Sequence, residues 1–176
     1  MADCVAQGWV SAEPTVVERE RAAMEQWAPE LTWRDDLHWR EGRQAFGWTG
    51  SAPAWAGERE PPRGAAELLA GRQLQLEVIY PEAFPAVPAV LFPRDPEVPL
   101  QRRTLSTWHV NGDGSLCLMR SADDWRLTDT AADLVRKASG WFIEYLLLEA
   151  EEIEQMTERG ILVDTCLDPV LAKFAP

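Results

Sequence analysis

The sequence predicts an α+β fold, and three observations carry that expectation. The run Gln73 to Tyr80 alternates Leu74, Leu76, Val78 and Tyr80 with polar partners, the period of a half-buried antiparallel strand. Two stretches, one after Pro14 and one after Thr128 or Thr130, repeat apolar residues at helical spacing. Between the last strand-like run and the second helical stretch lies a long segment with no regular period, a place where compact domains usually keep their function. At 176 residues the chain is long enough to bury one hydrophobic core without disulfides or a structural metal, so a single domain is expected over residues 1–176.

Taken in order, residues 1–13 lack periodicity and read as a loose tail. Val17, Met24 and Trp27 then mark the buried stripe of an amphipathic helix that ends before Pro29, with Glu18, Arg19 and Arg21 on its solvent face. Leu31 to Thr49 alternates imperfectly around Trp33, Leu37, Trp39, Phe46 and Trp48, which predicts one strand, or two joined by a turn at Glu41-Gly42. Residues 51–64 are rich in Pro, Gly and Ala and predict a loop, an insertion or a mobile edge. After the strand ending at Tyr80, the prolines of residues 81–88 fix φ and remove donors, so a rigid extended connection should lead into a short strand, Ala89 to Phe92, bounded by Pro93. The second helix should begin at Thr128 or Thr130 and continue to Arg159-Gly160 through Leu134, Ala138, Trp141, Phe142, Tyr145, Leu148, Ile153 and Met156. About 28 residues at about 1.5 Å each would reach about 42 Å, so a kink or break is expected, with Gly140 the candidate place. The remaining residues 161–176 hold enough apolar side chains for one short packed helix after Pro169.

Composition narrows the function. The formal charge of -12 repels polyanions and leaves no basic stripe, so nucleic acid is not an expected partner and protein partners are. The longest apolar runs fall well short of the roughly 20 residues that span a bilayer, so no membrane span is expected. The first residues show no basic region followed by an apolar stretch, which predicts a cytoplasmic protein without a secretory signal. Cys4, Cys117 and Cys166 make an odd count without C-x-x-C spacing, against a disulfide framework and against a zinc or redox motif. Only Lys137 and Lys173 are lysine, all other basic residues being arginine, which fits a GC-rich coding bias and would also suit an enzyme that handles amine-reactive thioesters. The nine tryptophans are expected as core and loop anchors, with Trp9 and Trp55 in weakly patterned segments where an exposed partner site is conceivable.

The chemistry concentrates in Trp108-His-Val-Asn-Gly-Asp-Gly-Ser-Leu-Cys-Leu118. A cysteine between leucines is by itself ordinarily a small buried hydrophobe. Here Gly112 and Gly114 around Asp113 permit a tight turn that would present Ser115 to Leu118 on a rigid ledge. Asp123 and Asp124 read as a solvated turn, and Cys4 and Cys166 as bystander thiols.

Three separated motifs resemble the E2 family of ubiquitin-conjugating enzymes. Leu76 to Phe92 looks like that family's strand, Tyr-Pro turn, proline segment and next strand; His109 to Leu118 is similar to its His-Pro-Asn and Gly-x-Ile-Cys-Leu active-site signature; Trp125 falls where the family places a tryptophan before the next helix. The resemblance covers roughly residues 14 to 150 and departs at the active-site loop. In the family the Asn stands eight residues before the Cys, an offset held here by His109, while Asn111 lies six before and Val110 replaces the proline. Such a shortened loop resembles bacterial E2-like proteins of anti-phage operons, including CBASS.

The resemblance implies a UBC-like fold: an N-terminal helix, a four-stranded antiparallel meander, an irregular active-site loop and C-terminal helices. It implies that Cys117 accepts an activated C-terminus from an E1-like activating protein and passes it to an amine, with neither cofactor nor metal. The cargo would be a ubiquitin-like protein or a cGAS-like nucleotidyltransferase. His109 or Asn111 would stabilise the oxyanion, the alternative role for each being to hold the loop by hydrogen bonds to its backbone. Glu18, Arg19 and Arg21 would meet the E1-like partner. The alternatives from other classes are a non-catalytic E2-fold or RWD-like binding module and a cysteine hydrolase using Cys117 with His109.

Overall fold

The computed structural model describes residues 8–40 and 42–176; Cys4 and Glu41 lie outside the described residues. Helix α1 spans Gly8–Ala12 and α2 Pro14–Trp27; strands β1 (Leu31–Trp39) and β2 (Arg43–Ser51) follow, then α3 (Ala65–Leu69), β3 (Gln75–Ile79), β4 (Val90–Asp95), α4 (Ala131–Glu149) and α5 (Asp168–Leu171). The four strands form one sheet in the order β1-β2-β3-β4, every pair antiparallel, so the expected α+β class and meander are present.

Pleat decides which side chains meet the helices. Trp48, Leu76, Val78 and Leu91 enter the main core with Met24 of α2 and the apolar stripe of α4, which includes Val135, Ala138, Ile143 and Leu147. A bulge between Arg34 and Leu37 shifts the β1–β2 register by one residue and turns Leu37 and Trp39 to the outer face. There Leu37, Ala45, Ile79 and Phe92 make a second small cluster under Trp39 and Val90. Gly47 is required at this place, since a Cβ on it would meet the Val78 carbonyl oxygen and Leu37.

Several sequence expectations need correction. The tail is structured from Gly8: Trp9 is buried, its ring 5.1 Å from Tyr80 and 4.9 Å from Phe84, and five residues are too few for periodicity to reveal α1. Residues 51–64 are no mobile edge. Arg59 donates to both carboxylate oxygens of Asp168 at 2.9 Å and to the carbonyls of Ile161 and Asp164, and the Trp55 indole N–H donates to the Arg59 carbonyl at 2.7 Å. Strand β4 continues through Pro93 to Asp95; it is an edge strand, where a missing N–H costs no ladder bond.

Thr130, not Thr128, caps α4, its N–H donating to the Asp133 carboxylate at 2.9 Å. The helix stops at Glu149 rather than near Gly160, although Ile153 and Met156 keep the apolar spacing. Glu149, Glu151, Glu152 and Glu154 would put four carboxylates at the negative end of the helix dipole, and Glu151 takes a left-handed φ of 56° where the chain turns back. The break in the expected long helix falls at Glu149 and not at Gly140, which lies inside continuous helix, where a Cβ would meet Leu162 and Ile161 of the returning segment. Among the described residues no helix is long and apolar enough to cross a membrane.

Candidate functional site

From Asp95 to Thr130 the chain runs through short 3-10 turns, and the one stretch with sheet-like pairing is the candidate site. Val110 and Leu116 form an antiparallel bridge, the Asn111 N–H donates to the Ser115 carbonyl at 2.8 Å, and the Cys117 N–H donates to the His109 carbonyl at 2.8 Å. Residues 109–117 are therefore a tight hairpin. Its Leu116 N–H donates to the Leu91 carbonyl and its Val110 carbonyl accepts from the Thr104 N–H, both at 2.8 Å, so the hairpin is pinned to β4 on one side and to residue 104 on the other. Val110 and Leu116 point into the main core, which leaves Asn111 and Cys117 exposed and His109 half-buried on the other face.

The turn is closed by side chains. Asp113 accepts from the Ser115 N–H at 3.0 Å and the Ser115 hydroxyl at 2.6 Å; the Asn111 amide donates to the Ser115 hydroxyl oxygen at 3.0 Å and the Leu116 carbonyl at 3.5 Å. Burial pushes the Asp113 carboxyl up, but the two Ser115 bonds and the field of Arg40 outweigh it and hold the group below its ordinary value. Gly114 takes a φ of 90°, and a Cβ on it would lie 3.1 Å from the Arg103 guanidinium, which is packed on the turn. Arg103 was invisible in the sequence. Asp113 and Ser115 carried a signal, the Asp followed two residues later by a hydroxyl that builds side-chain turns.

Cys117 comes out at the foot of the hairpin with an exposed, free thiol whose sulfur lies 3.7 Å from the Met119 carbonyl oxygen. His109 is directly across from it in the hairpin register, since the Val110–Leu116 bridge pairs 109 with 117. The backbone at His109 is left-handed, with φ 49°. Burial depresses the imidazole pKa, with the Cys117 carbonyl pulling the other way, so the ring is held neutral over a wider range than a free histidine. The structure thus brings His109 and Cys117 together and gives Asn111's amide to the turn.

What flanks the hairpin is braced rather than loose. The Trp108 carbonyl accepts from the Trp141 indole at 2.9 Å, and the Trp108 ring packs 5.5 Å from Tyr145, so α4 holds the residue before His109. After the cysteine, Asp124 accepts from the N–H groups of Arg120 and Ser121, a turn-building role, while Asp123 is exposed. The Trp125 indole donates to the Pro85 carbonyl at 2.8 Å and so ties this lip to the proline-rich connection.

The three helix residues expected at a partner surface have different surroundings. Glu18 and Arg21 are exposed, Arg21 lying 5.3 Å from the centre of the Trp33 ring. Arg19 is half-buried and donates to the Leu127 carbonyl at 2.9 Å and the Asp129 carbonyl at 3.3 Å, bracing α2 against the approach to α4. Its neighbour Glu20, three residues after Val17 and four before Met24 and so on the inward stripe despite its charge, is fully buried: the carboxylate accepts from the Tyr80 hydroxyl at 2.9 Å and the Ala131 N–H at 2.8 Å. Among the described residues no group of acidic, His or Cys side chains could hold a metal ion. No family model, no curated protein and no solved structure matches the chain.

Proposed function

We propose that this chain is an E2-like acyl carrier with a UBC-like fold, in which Cys117 holds an activated C-terminus as a thioester and passes it to an amine. The observation that carries the reading is the exposed thiol at the foot of a rigid hairpin, anchored to β4 and to the core. A thiol that must meet the end of one protein and then the amine of another needs open approach from outside and a fixed direction, and the hairpin supplies both.

In the first transfer the Cys117 thiolate attacks the thioester carbonyl presented by an E1-like activating protein, and the partner's thiolate leaves. In the second an amine attacks the Cys117 thioester, the tetrahedral oxyanion collapses, the Cys117 thiolate leaves and the nitrogen gives up a proton. Exchange between thioesters needs no strong base; aminolysis gains from a donor or a neutral imidazole near the developing charge. The position of His109 across from Cys117 supports that role for the imidazole, and the Asn111 bond to Ser115 supports a turn-holding role for the amide. Glu18 and Arg21 remain on the open face of α2 as contacts for the E1-like partner. The cargo is a ubiquitin-like protein or the C-terminus of a cGAS-like nucleotidyltransferase, in bacterial anti-phage defence.

The pairing of His109 with Cys117 also favours a second reading, a cysteine hydrolase in which the imidazole takes the thiol proton. Against it, neither cavity on the outer face of the sheet includes Cys117, so an acyl pocket would have to come from elsewhere. One experiment separates the readings. With ATP, an activating protein and cargo, the carrier should form an adduct that a thiol reductant removes, lost in Cys117→Ala and converted in Cys117→Ser to a slower oxyester that resists reductant but yields to base. Cys166→Ala should charge like the parent. Rapid release of cargo to water without an amine would favour the hydrolase, and an adduct surviving in Cys117→Ala would discard both.

A further inference from the structure

The cavity of about 450 Å³ on the outer face of the sheet lies beside the hairpin rather than at Cys117. Its floor is Ile79 and Phe92, its rim carries Arg40, Arg94 and Arg103, and one wall is the hairpin tip, Asp113 and Gly114. In a chain of net charge -12 this is a local reversal: three guanidinium groups line the cavity against two carboxylates, Glu97 and Asp113.

The arginines are prearranged. Arg40 lies 4.6 Å from the Trp39 ring centre and Arg94 5.2 Å from that of Phe92, so each guanidinium is held on an aromatic ring. Among the described residues the Arg40 carbonyl accepts from the Arg43 N–H at 3.3 Å, while its guanidinium makes no hydrogen bond and no ion pair. Arg94 pairs with Glu77, and Arg103 donates to the Val98 carbonyl at 3.1 Å and to Glu97 at 3.3 Å, a contact with a largely exposed carboxylate. A guanidinium already immobilised loses little freedom on accepting a ligand, and its planar edge suits a phosphate oxygen pair.

We propose that this cavity is a binding site for a small phosphate-bearing anion, clamped between Arg40, Arg94 and Arg103 beside the tip of the Cys117 hairpin. The volume falls within the range of small-molecule sites. Occupancy is felt at the hairpin because the same residues hold it: Arg103 packs on Gly114, and the positive field of Arg40 acts on Asp113, which closes the turn through Ser115. The site is independent of the acyl-carrier reading, and its binding is measured without any thioester.

The test titrates the full chain with pyrophosphate and, separately, with a nucleoside diphosphate by calorimetry. Saturable binding of one equivalent is expected, weakened roughly tenfold or more by Arg40→Gln and by Arg94→Gln, the loss of one charge-assisted contact each. Arg43→Gln, which lines only the adjoining cavity, should bind like the parent. Tighter binding of the nucleotide would identify an organic phosphate as the ligand, and equal binding the phosphate group alone. Saturation with pyrophosphate should change the rate at which iodoacetamide alkylates Cys117, and this change should disappear in Arg40→Gln. No saturable binding up to about 10 mM of either anion, or equal weakening by Arg43→Gln and Arg40→Gln, would overturn the proposal.

Discussion

Asn111 and His109 flank Val110, yet the hairpin uses them differently. The amide of Asn111 is engaged with Ser115 and Leu116, so Asn111→Ala should cost about 1 kcal/mol of stability and disturb charging and discharge of Cys117 together. His109→Ala should charge normally and slow transfer to an amine by roughly ten to a thousandfold, measured as single-turnover discharge. Discharge of His109→Ala at the parent rate would remove the imidazole from the mechanism. Glu20 offers a pH signature instead. Burial raises its pKa despite the bonds from Ala131 and Tyr80 and the charge of Arg19, and burial likewise raises that of Glu144. The folded chain then holds these protons more tightly than the unfolded one. That contribution to stability is complete below the ordinary Glu value of 4.5 and is lost as pH rises through the elevated folded value. Glu20→Gln keeps an acceptor for Tyr80 and Ala131 and removes the charge, so its melting temperature should fall less steeply with rising pH than the parent's. An identical slope would show that Glu20 does not titrate in this range.

At the scale of elements, β3 and α4 show what period and caps can and cannot decide. The alternation of Leu74 to Tyr80 gave β3, because its two faces meet different surroundings, the main core on one side and on the other an outer face where Gln75 and Glu77 are half-buried and only Ile79 joins the small second cluster. For α4 the stripe predicted the start and most of the buried face, while the end depended on electrostatics at the last turn. Apolar spacing persists past Glu149, but the carboxylates there oppose the dipole. The start rests on Thr130 and Asp133 together with the Glu20 carboxylate, which takes the Ala131 N–H from another helix. Thr130→Ala should therefore cost about 1 kcal/mol, read as a shift in the denaturant midpoint at constant slope. No shift would mean that Glu20 and Asp133 suffice without the threonine hydroxyl.

Across the whole molecule, the C-terminal residues close over the helix layer through a few long-range clasps. Glu144 accepts from the Thr157 N–H, the Thr157 hydroxyl and the Ile161 N–H, and Arg59 reaches Asp168 and two carbonyls from a loop a hundred residues earlier in sequence. Arg59→Gln should cost about 1 to 3 kcal/mol and expose residues 150–168 to limited proteolysis ahead of the sheet, with Cys117 alkylating at the parent rate. Parent-like protease resistance would show that Glu144 and apolar packing hold the segment unaided. The sequence by itself determined what depends on neighbours along the chain: the amphipathic stripe of α2, the alternation of β3, and the glycines and short polar side chains that turn residues 111–115 beneath Cys117. Tertiary structure decided whatever depends on partners far away in sequence. Burial of Trp9 makes a helix where no period exists, the bulge in β1 moves Leu37 and Trp39 to the outer face, Glu20 is drawn inside by Tyr80 and Ala131, and Arg40, Arg94 and Arg103 meet at one cavity. Apart from the helical spacing that puts Glu20 on the same face as Val17 and Met24, these have no local signal, because the free energy that fixes each comes from contacts made only after the strands and helices have packed.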